Sequence, residues 1–375
     1  SRTNNHNDVE DLAKFNIDTI DMLIIDLYPF QETLKQTSNH EEIIEKIDIG
    51  GVSLIRAGAK NYKEILVIPS SKELKEVMEL INDKNGYCSL EDRLYFAKKS
   101  FKITSNYELS ISNYFSTNFE TEVKLPEHFQ HSIIESKKLR YGENPHQEGI
   151  YYGKISELFE QLNGKELSYN NLLDIDSAIK LIDEFEEPCF GIFKHNNACG
   201  FSAHNNISKS WEKALAGDPV SAFGGVLITN DEIDLKTANK INQLFFEILI
   251  AKSFDAEALD LLKSKKNRII LKKKNAILEE VSFRSILNGV LCQQIDHLND
   301  QDDMKLVSKL KISEMQMRDL LFASKICKHT KSNAIVLVKD KQLLGSGCGQ
   351  TSRVDALKQA IIKAKKFGFS LDNAV

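Results

Sequence analysis

Short apolar runs, each closed by a proline, a glycine or a polar turn, alternate along this chain with stretches of helical periodicity. That alternation constrains the fold more than any other feature. Residues 21–30 form the first run, ended at Pro29, and read as a buried parallel strand. A helical stretch over residues 41–47 leads to Asp48, Ile49, Gly50 and Gly51, a second short helix reaches Lys60, and residues 65–68 form a strand that stops at Pro69. Later runs at 189–193, 226–228 and 248–250 are interleaved with a helix over 174–185 and another ending at Leu244. Residues 333–338 and 342–347 read as a hairpin, and 355–367 as an amphipathic helix that Gly368 can terminate. The expectation is an α/β fold. Residues 74–115 look mostly helical and 116–127, with Pro126, look like a linker, so we expect one domain over 1–130 and a second over 131–375. There is no internal repeat or low-complexity tract.

Composition narrows the function classes. The 375 residues are 42% hydrophobic and 27% charged, enough for two or three buried cores. With 49 Lys plus Arg against 54 Asp plus Glu, the net charge of -5 gives no general attraction to nucleic acid. Cys88, Cys189, Cys199, Cys292, Cys327 and Cys348 lack paired spacing and read as free thiols of a reducing compartment, the cytoplasm. No apolar run approaches the roughly 20 residues that span a bilayer. The first residues lack a signal peptide and also a methionine, which suggests a piece of a longer chain.

Residues 194–200 are the sharpest chemical feature, because Lys194 and His195 at a strand end pair a cation with a base. An exposed lysine beside a structural histidine in a turn is the alternative. Residues 139–147 place the Arg140 fork beside the Tyr141 ring, which suits a phosphate and a flat heterocycle, or else form a surface turn closed at Asn144 and Pro145. Gly50 and Gly51 before a helix can offer N–H groups to an anion, with Lys60 one helix away. The basic run Lys263, Lys265, Lys266, Arg268, Lys272, Lys273 and Lys274 is read as a solvated face rather than a polyanion site. Cys199 is read as a packed small residue rather than a nucleophile. Neither a phosphate-binding Gly-x-x-x-x-Gly-Lys-Ser/Thr nor a dinucleotide glycine fingerprint occurs. Cys189 lacks the second cysteine of a zinc deaminase, so no metal site is expected.

Taken together, residues 139–147, 167–171, 194–200, 218–225, 331–334 and 349–355 resemble, in order, the formyltransferase region of the bifunctional purine enzymes that combine AICAR formyltransferase with IMP cyclohydrolase. Residues 26–30 and 47–61 resemble the later part of the cyclohydrolase domain in the same family. The resemblance implies that 10-formyltetrahydrofolate donates a formyl group to AICAR and that the product FAICAR closes to IMP, without a metal. It assigns His195 to proton removal, Lys194 to the developing oxyanion, Arg140 and Tyr141 to the nucleotide and Asn171 to the reacting groups. It places Gly224, Glu247, Asn333 and Arg353 around the substrates. For ring closure it points to Tyr28, Asp48 and Lys60, with Gly50 and Gly51 near a phosphate.

The implied folds are a partial methylglyoxal-synthase-like domain followed by a cytidine-deaminase-like formyltransferase region, in a homodimer. Family order also implies a preceding segment with a Gly-rich phosphate loop and a Lys-Thr pair, and a further strand and aromatic stretch after Val375, so the chain reads as truncated at both ends. Asp26 stands where many relatives have Asn, and Ala198 where many have Pro; the first brings a charge toward a phosphate. A non-catalytic fragment that binds purine nucleotide is the alternative, and a Cys199-dependent hydrolase a third.

Overall fold

A computed structural model describes residues 2, 5–119, 125, 129–276, 280–298, 304–307 and 309–375. The chain divides into two compact units, Ser1–Ser132 with Ser285–Cys292, and Ile133–Arg284 with Gln293–Val375.

The first unit contains α1 (His6–Phe15), β1 (Met22–Ile24), α2 (Phe30–Gln36), α3 (His40–Ile44), α4 (Gly50–Lys60), β2 (Leu66–Ile68), α5 (Leu74–Asp83) and α6 (Leu90–Phe119). β1 and β2 pair in parallel, Leu23 opposite Val67. β2 is buried throughout, whereas β1 is only three residues long and exposes Met22 and Ile24. The buried strand expected over 21–30 is therefore corrected. Asp26 turns away to accept the Ser71 N–H, and Pro29, which has no N–H, leads straight into α2. Phe30 is fully buried, edge-on to Tyr107 and Tyr114 of α6 at 6.1 and 6.0 Å. Burying such a ring contributes roughly 1.5–3 kcal/mol. The helical stretch from 74 splits in two where the Asp92 carboxylate accepts from Ser89 N–H and Oγ, capping α6. α6 then runs to Phe119, so 116–119 are helix rather than linker; Pro126 lies outside the described residues.

The second unit contains β3 (Ser136–Lys138), β4 (Ile150–Tyr152), α7 (Ile155–Leu158), β5 (Phe159–Asn163), α8 (Tyr169–Ile182), β6 (Cys189–Lys194), β7 (Asn197–Ala203), α9 (Ile207–Gly217), β8 (Val226–Thr229), β9 (Glu232–Ile233), α10 (Leu235–Ile241), β10 (Ile248–Ala251), β11 (Ser253–Phe254), α11 (Ala256–Lys263) and β12 (Ile269–Lys273). A ribbon of β13 (Val281–Ile286) and β14 (Gly289–Gln294) follows, then α12 (Glu314–Lys328), β15 (Ile335–Lys339), β16 (Gln342–Gly347) and α13 (Arg353–Lys366). Eight strands form one sheet in the order β15-β16-β7-β6-β8-β10-β12-β5. The architecture is α/β. Both faces are covered: Phe193, Phe201 and Ile250 pack in one core with Ile179 of α8 and Phe322 of α12. Phe190, Leu227 and Leu249 pack in the other with Trp211 of α9, Ile241 of α10 and Leu262 of α11. Burial on both faces is why the strands are continuous apolar runs. Where α9 and α13 lie closest, glycines make room: a Cβ on Gly200 would stand 2.0 Å from Ala214 O, and one on Gly347 1.9 Å from Ala356 O.

Two expectations change here. Within the eight-stranded sheet only β8, β10 and β12 pair in parallel, while β6 is antiparallel to both neighbours. The strand end expected for Lys194 and His195 is therefore the tip of an antiparallel hairpin, beside the N-terminal ends of β8 and β10. Second, the helix expected over 174–185 begins earlier, with Tyr169, Asn170 and Asn171 as the first turn of α8. Ser168 Oγ accepts the Asn171 N–H and Asn171 Oδ1 accepts the Ser168 N–H, a reciprocal cap that starts the helix five residues earlier than apolar periodicity suggests. Among the described residues no helix is long and apolar enough to cross a membrane.

Candidate active site

His195 and Asn196 join β6 to β7 with φ of 51° and 64°, the two-residue left-handed turn that suits a twisted hairpin. Neighbouring polar groups hold it. Asp174 Oδ1 accepts the Asn196 N–H at 2.7 Å, and Asn197 Nδ2 donates to His195 O at 2.8 Å. Asn197 Oδ1 in turn accepts the Lys331 N–H at 3.3 Å. The asparagines after His195 are thus the fastening of the turn.

Lys194 Nζ donates to Phe223 O at 2.7 Å. Gly224, at φ +69°, passes so near that a Cβ would lie 3.2 Å from that nitrogen. Glu247 precedes β10, and its Oε2 accepts from Asn171 Nδ2 at 3.1 Å, tying the start of α8 to the sheet. These groups line an open cleft of about 800 Å³ that also takes in Arg140 and Tyr141. The 139–147 loop keeps its shape internally: Gly142 N–H donates to Gln147 O at 2.7 Å, and Asn144 donates to Gln147 Oε1 from backbone and side chain, both at 3.0 Å. Asn170 Nδ2 fixes it to α8 through Glu143 O at 3.2 Å.

Seven residues singled out from the sequence therefore meet in one cleft: Arg140, Tyr141, Asn171, Lys194, His195, Gly224 and Glu247. Asn333 and Arg353 do not line it. Asn333 precedes β15 and donates twice to Gln350 O, at 3.2 and 3.0 Å, while Arg353 is the exposed first residue of α13.

In the first unit, Tyr28, Asp48, Gly50 and Gly51 gather at the start of α4. Asp48 Oδ2 accepts the Tyr28 N–H at 3.3 Å and Oδ1 the Gly51 N–H at 2.6 Å. A Cβ on Gly51 would stand 2.7 Å from that carboxylate and would push it off the Gly51 N–H. The Gly51 N–H expected to be open to an anion is thus taken by Asp48. Lys60 ends the same 11-residue helix, which places it about 15 Å away along the axis. The Asp26 charge is occupied too: the Ser71 side chain and N–H together hold its carboxyl below the usual range, against the effect of burial.

The family model described as AICARFT/IMPCHase bienzyme matches residues 58–363. The bifunctional purine biosynthesis protein PurH of Bacteroides thetaiotaomicron is 50% identical over 369 residues, covering 98% of this chain and 72% of that protein. The chain belongs to the AICARFT/IMPCHase bienzyme family. Proteins of the same name from Caldicellulosiruptor saccharolyticus and Persephonella marina are 42% and 39% identical, over 99% and 98% of this chain and 74% and 73% of theirs. The chain is accordingly an enzyme of purine biosynthesis, in a family that combines AICAR formyltransferase with IMP cyclohydrolase and so uses a formyl-folate donor.

Two groups lining the family member's cleft went unnoticed in the sequence. Lys165 sits in the turn before α8. Asp174 faces the cleft from within that helix, and burial pushes its carboxyl up, with Glu247 adding to the rise while the Asn196 N–H, His195 and Lys194 oppose it. Its position three residues after Asn171, on the same helical face, was the available signal. Cys199 is a poor nucleophile here, since burial pushes its thiol up to about 12 and it bonds Ile192 O at 3.4 Å. The basic run is divided: Arg268 is buried over the Phe246 ring at 4.2 Å, Lys273 pairs with Asp183 and Lys274 donates to Ser156 O, while Lys263, Lys265, Lys266 and Lys272 are exposed.

Proposed function

We propose that the second unit transfers the formyl group of 10-formyltetrahydrofolate to the 5-amino group of AICAR in the 140–247 cleft, giving FAICAR. The residues around Asp48 in the first unit are assigned to closure of FAICAR to IMP, with Lys60 and Tyr28. The observation that carries the assignment is the pairing of Lys194 and His195 on one fastened turn, facing Arg140 and Tyr141 in the same cleft. At about 800 Å³ the cleft has room for a nucleotide together with a formyl-bearing ring.

The amine of AICAR is a weak nucleophile because its lone pair is delocalised into the ring. His195 removes its proton as the N–C bond to the formyl carbon forms, and the tetrahedral adduct collapses as the bond from that carbon to the folate N10 breaks, N10 taking up the proton and leaving as tetrahydrofolate. Lys194 has three N–H donors, of which Phe223 O takes one, so the others can meet the oxyanion that develops on the formyl oxygen. The Phe223 contact also limits where the ammonium can go, which keeps the cost of reorganising it low. Arg140 supplies a fork for the phosphate and Tyr141 a face for the heterocycle. Asn171 and Glu247, already bonded to each other, offer a fixed donor and acceptor to the substrate. Asn333 and Arg353 are assigned to the outer part of the substrate site. We read the units as methylglyoxal-synthase-like and cytidine-deaminase-like, and the working protein as a cytoplasmic homodimer, on family membership.

The test is release of tetrahydrofolate from 10-formyltetrahydrofolate and AICAR. Lys194→Ala and His195→Ala should each lower turnover about 10²-fold or more with circular dichroism unchanged, and Cys199→Ala should not. Unaltered turnover in either of the first two would overturn the assignment. AICAR binding by calorimetry without any turnover in the unmutated chain would favour a non-catalytic nucleotide binder.

A further inference from the structure

Asp174 has no role in the chemistry set out above, yet it is bonded to the turn that carries His195. It lies half-buried on α8, lines the cleft, and accepts the Asn196 N–H at 2.7 Å. The turn it fastens holds His195 at φ 51°, in the left-handed region that residues other than glycine visit uncommonly. Such a conformation persists only when its surroundings over-determine it. Lys194 and Glu247 face His195 from the sheet, and Asp174 from α8. Arg140, Tyr141 and Glu143 come from the 139–147 loop, and Lys165 and Glu166 from the turn before α8. The Lys194 and Glu247 charges are each engaged by a named partner, Phe223 O and Asn171 Nδ2. Asp174 is the carboxylate bonded to the turn itself.

We propose that Asp174 is the positioning residue for His195: one oxygen aims the imidazole by holding the turn, and the negative charge makes that imidazole a stronger proton acceptor. This rests on His195 acting as the base of formyl transfer. A carboxylate near an imidazole favours its protonated form, so its removal lowers the histidine pKa. Burial of Asp174 magnifies the effect, since a partly desolvated charge is less screened.

Asp174→Asn keeps an oxygen for the Asn196 N–H and removes the charge; Asp174→Ala removes both. The His195 ring is followed by NMR in the full-length chain, assigned by the resonance lost in His195→Ala. In Asp174→Asn, the acid limb of kcat and the pH response of the His195 ring should move together toward lower pH. In Asp174→Ala, kcat should fall about 10²-fold while KM for AICAR stays within about threefold, because Arg140 and Tyr141 are untouched. Identical His195 titration in wild type and Asp174→Asn, or a loss confined to KM, would overturn the proposal. A shifted titration in a chain without formyl transfer would remove the proposed activity and leave the coupling of Asp174 to His195 standing.

Discussion

A single methyl group separates Gly224 from its neighbour across the cleft. Placed there, it would meet Lys194 Nζ at 3.2 Å on a backbone at φ +69°. Gly224→Ala should therefore cost about 1–2 kcal/mol in stability from the left-handed backbone alone. It should also lower kcat at least tenfold as the ammonium yields, because the flexible lysine is cheaper to move than the strand. A melting curve and steady-state kinetics on the same preparation check both; a lowered Tm with wild-type kcat would show that Lys194 does not act from this position. The sequence displays Gly224 only as half of a Gly-Gly turn. Its left-handed backbone, and its closeness to a residue thirty positions earlier, are recorded in no local pattern.

Secondary structure was legible where one element's own residues decide it. The hairpin of β15 and β16 followed from two alternating runs around a short turn, and the α/β rhythm from apolar runs buried on both faces. Boundaries set by side chains were not. Asn170 and Asn171 look like a turn by propensity, and become the start of α8 through the reciprocal bonds with Ser168. The β15–β16 turn has a hidden support as well: the buried Asp319 carboxylate of α12 accepts the Asp340 and Lys341 N–H groups, both at 2.8 Å. Asp319→Ala leaves both donors without that partner and should destabilise the second unit by about 2–3 kcal/mol, with Asp319→Asn recovering part. Chemical denaturation measures it; a midpoint unchanged in Asp319→Ala would mean water replaces the carboxylate without penalty.

For the whole molecule, acid should be the destabilising direction. Asp26 and Asp92 in the first unit and Asp218 in the second have carboxyls held below their usual range. Lys84 and Ser89 bring Asp92 to about 2; for Asp218, burial works the other way but Lys363 and Ser221 outweigh it. A carboxyl depressed by folding stabilises the fold above its unfolded pKa of about 4, and that stability is lost as pH falls through the folded value. Asp174, raised by burial, runs oppositely and contributes less as pH climbs. Because depressed carboxyls outnumber this raised one, Tm should fall steadily from about pH 4 toward pH 2, and Asp92→Asn should flatten part of that slope. A Tm that holds constant to pH 2.5 would refute this balance.

What the sequence determined by itself was the class of fold and the kinds of groups present. Buried runs, helix periods and ordered motif blocks depend on residue type and near spacing, which a linear string preserves. What only the tertiary structure decided was the direction of β6 and the company its tip keeps. Lys194 meets Phe223 O across 29 residues, Asn196 meets Asp174 across 22, and Asn171 meets Glu247 across 76. Those bonds form because burial around the sheet leaves each polar group few partners to choose from, and the choice depends on which strands lie side by side.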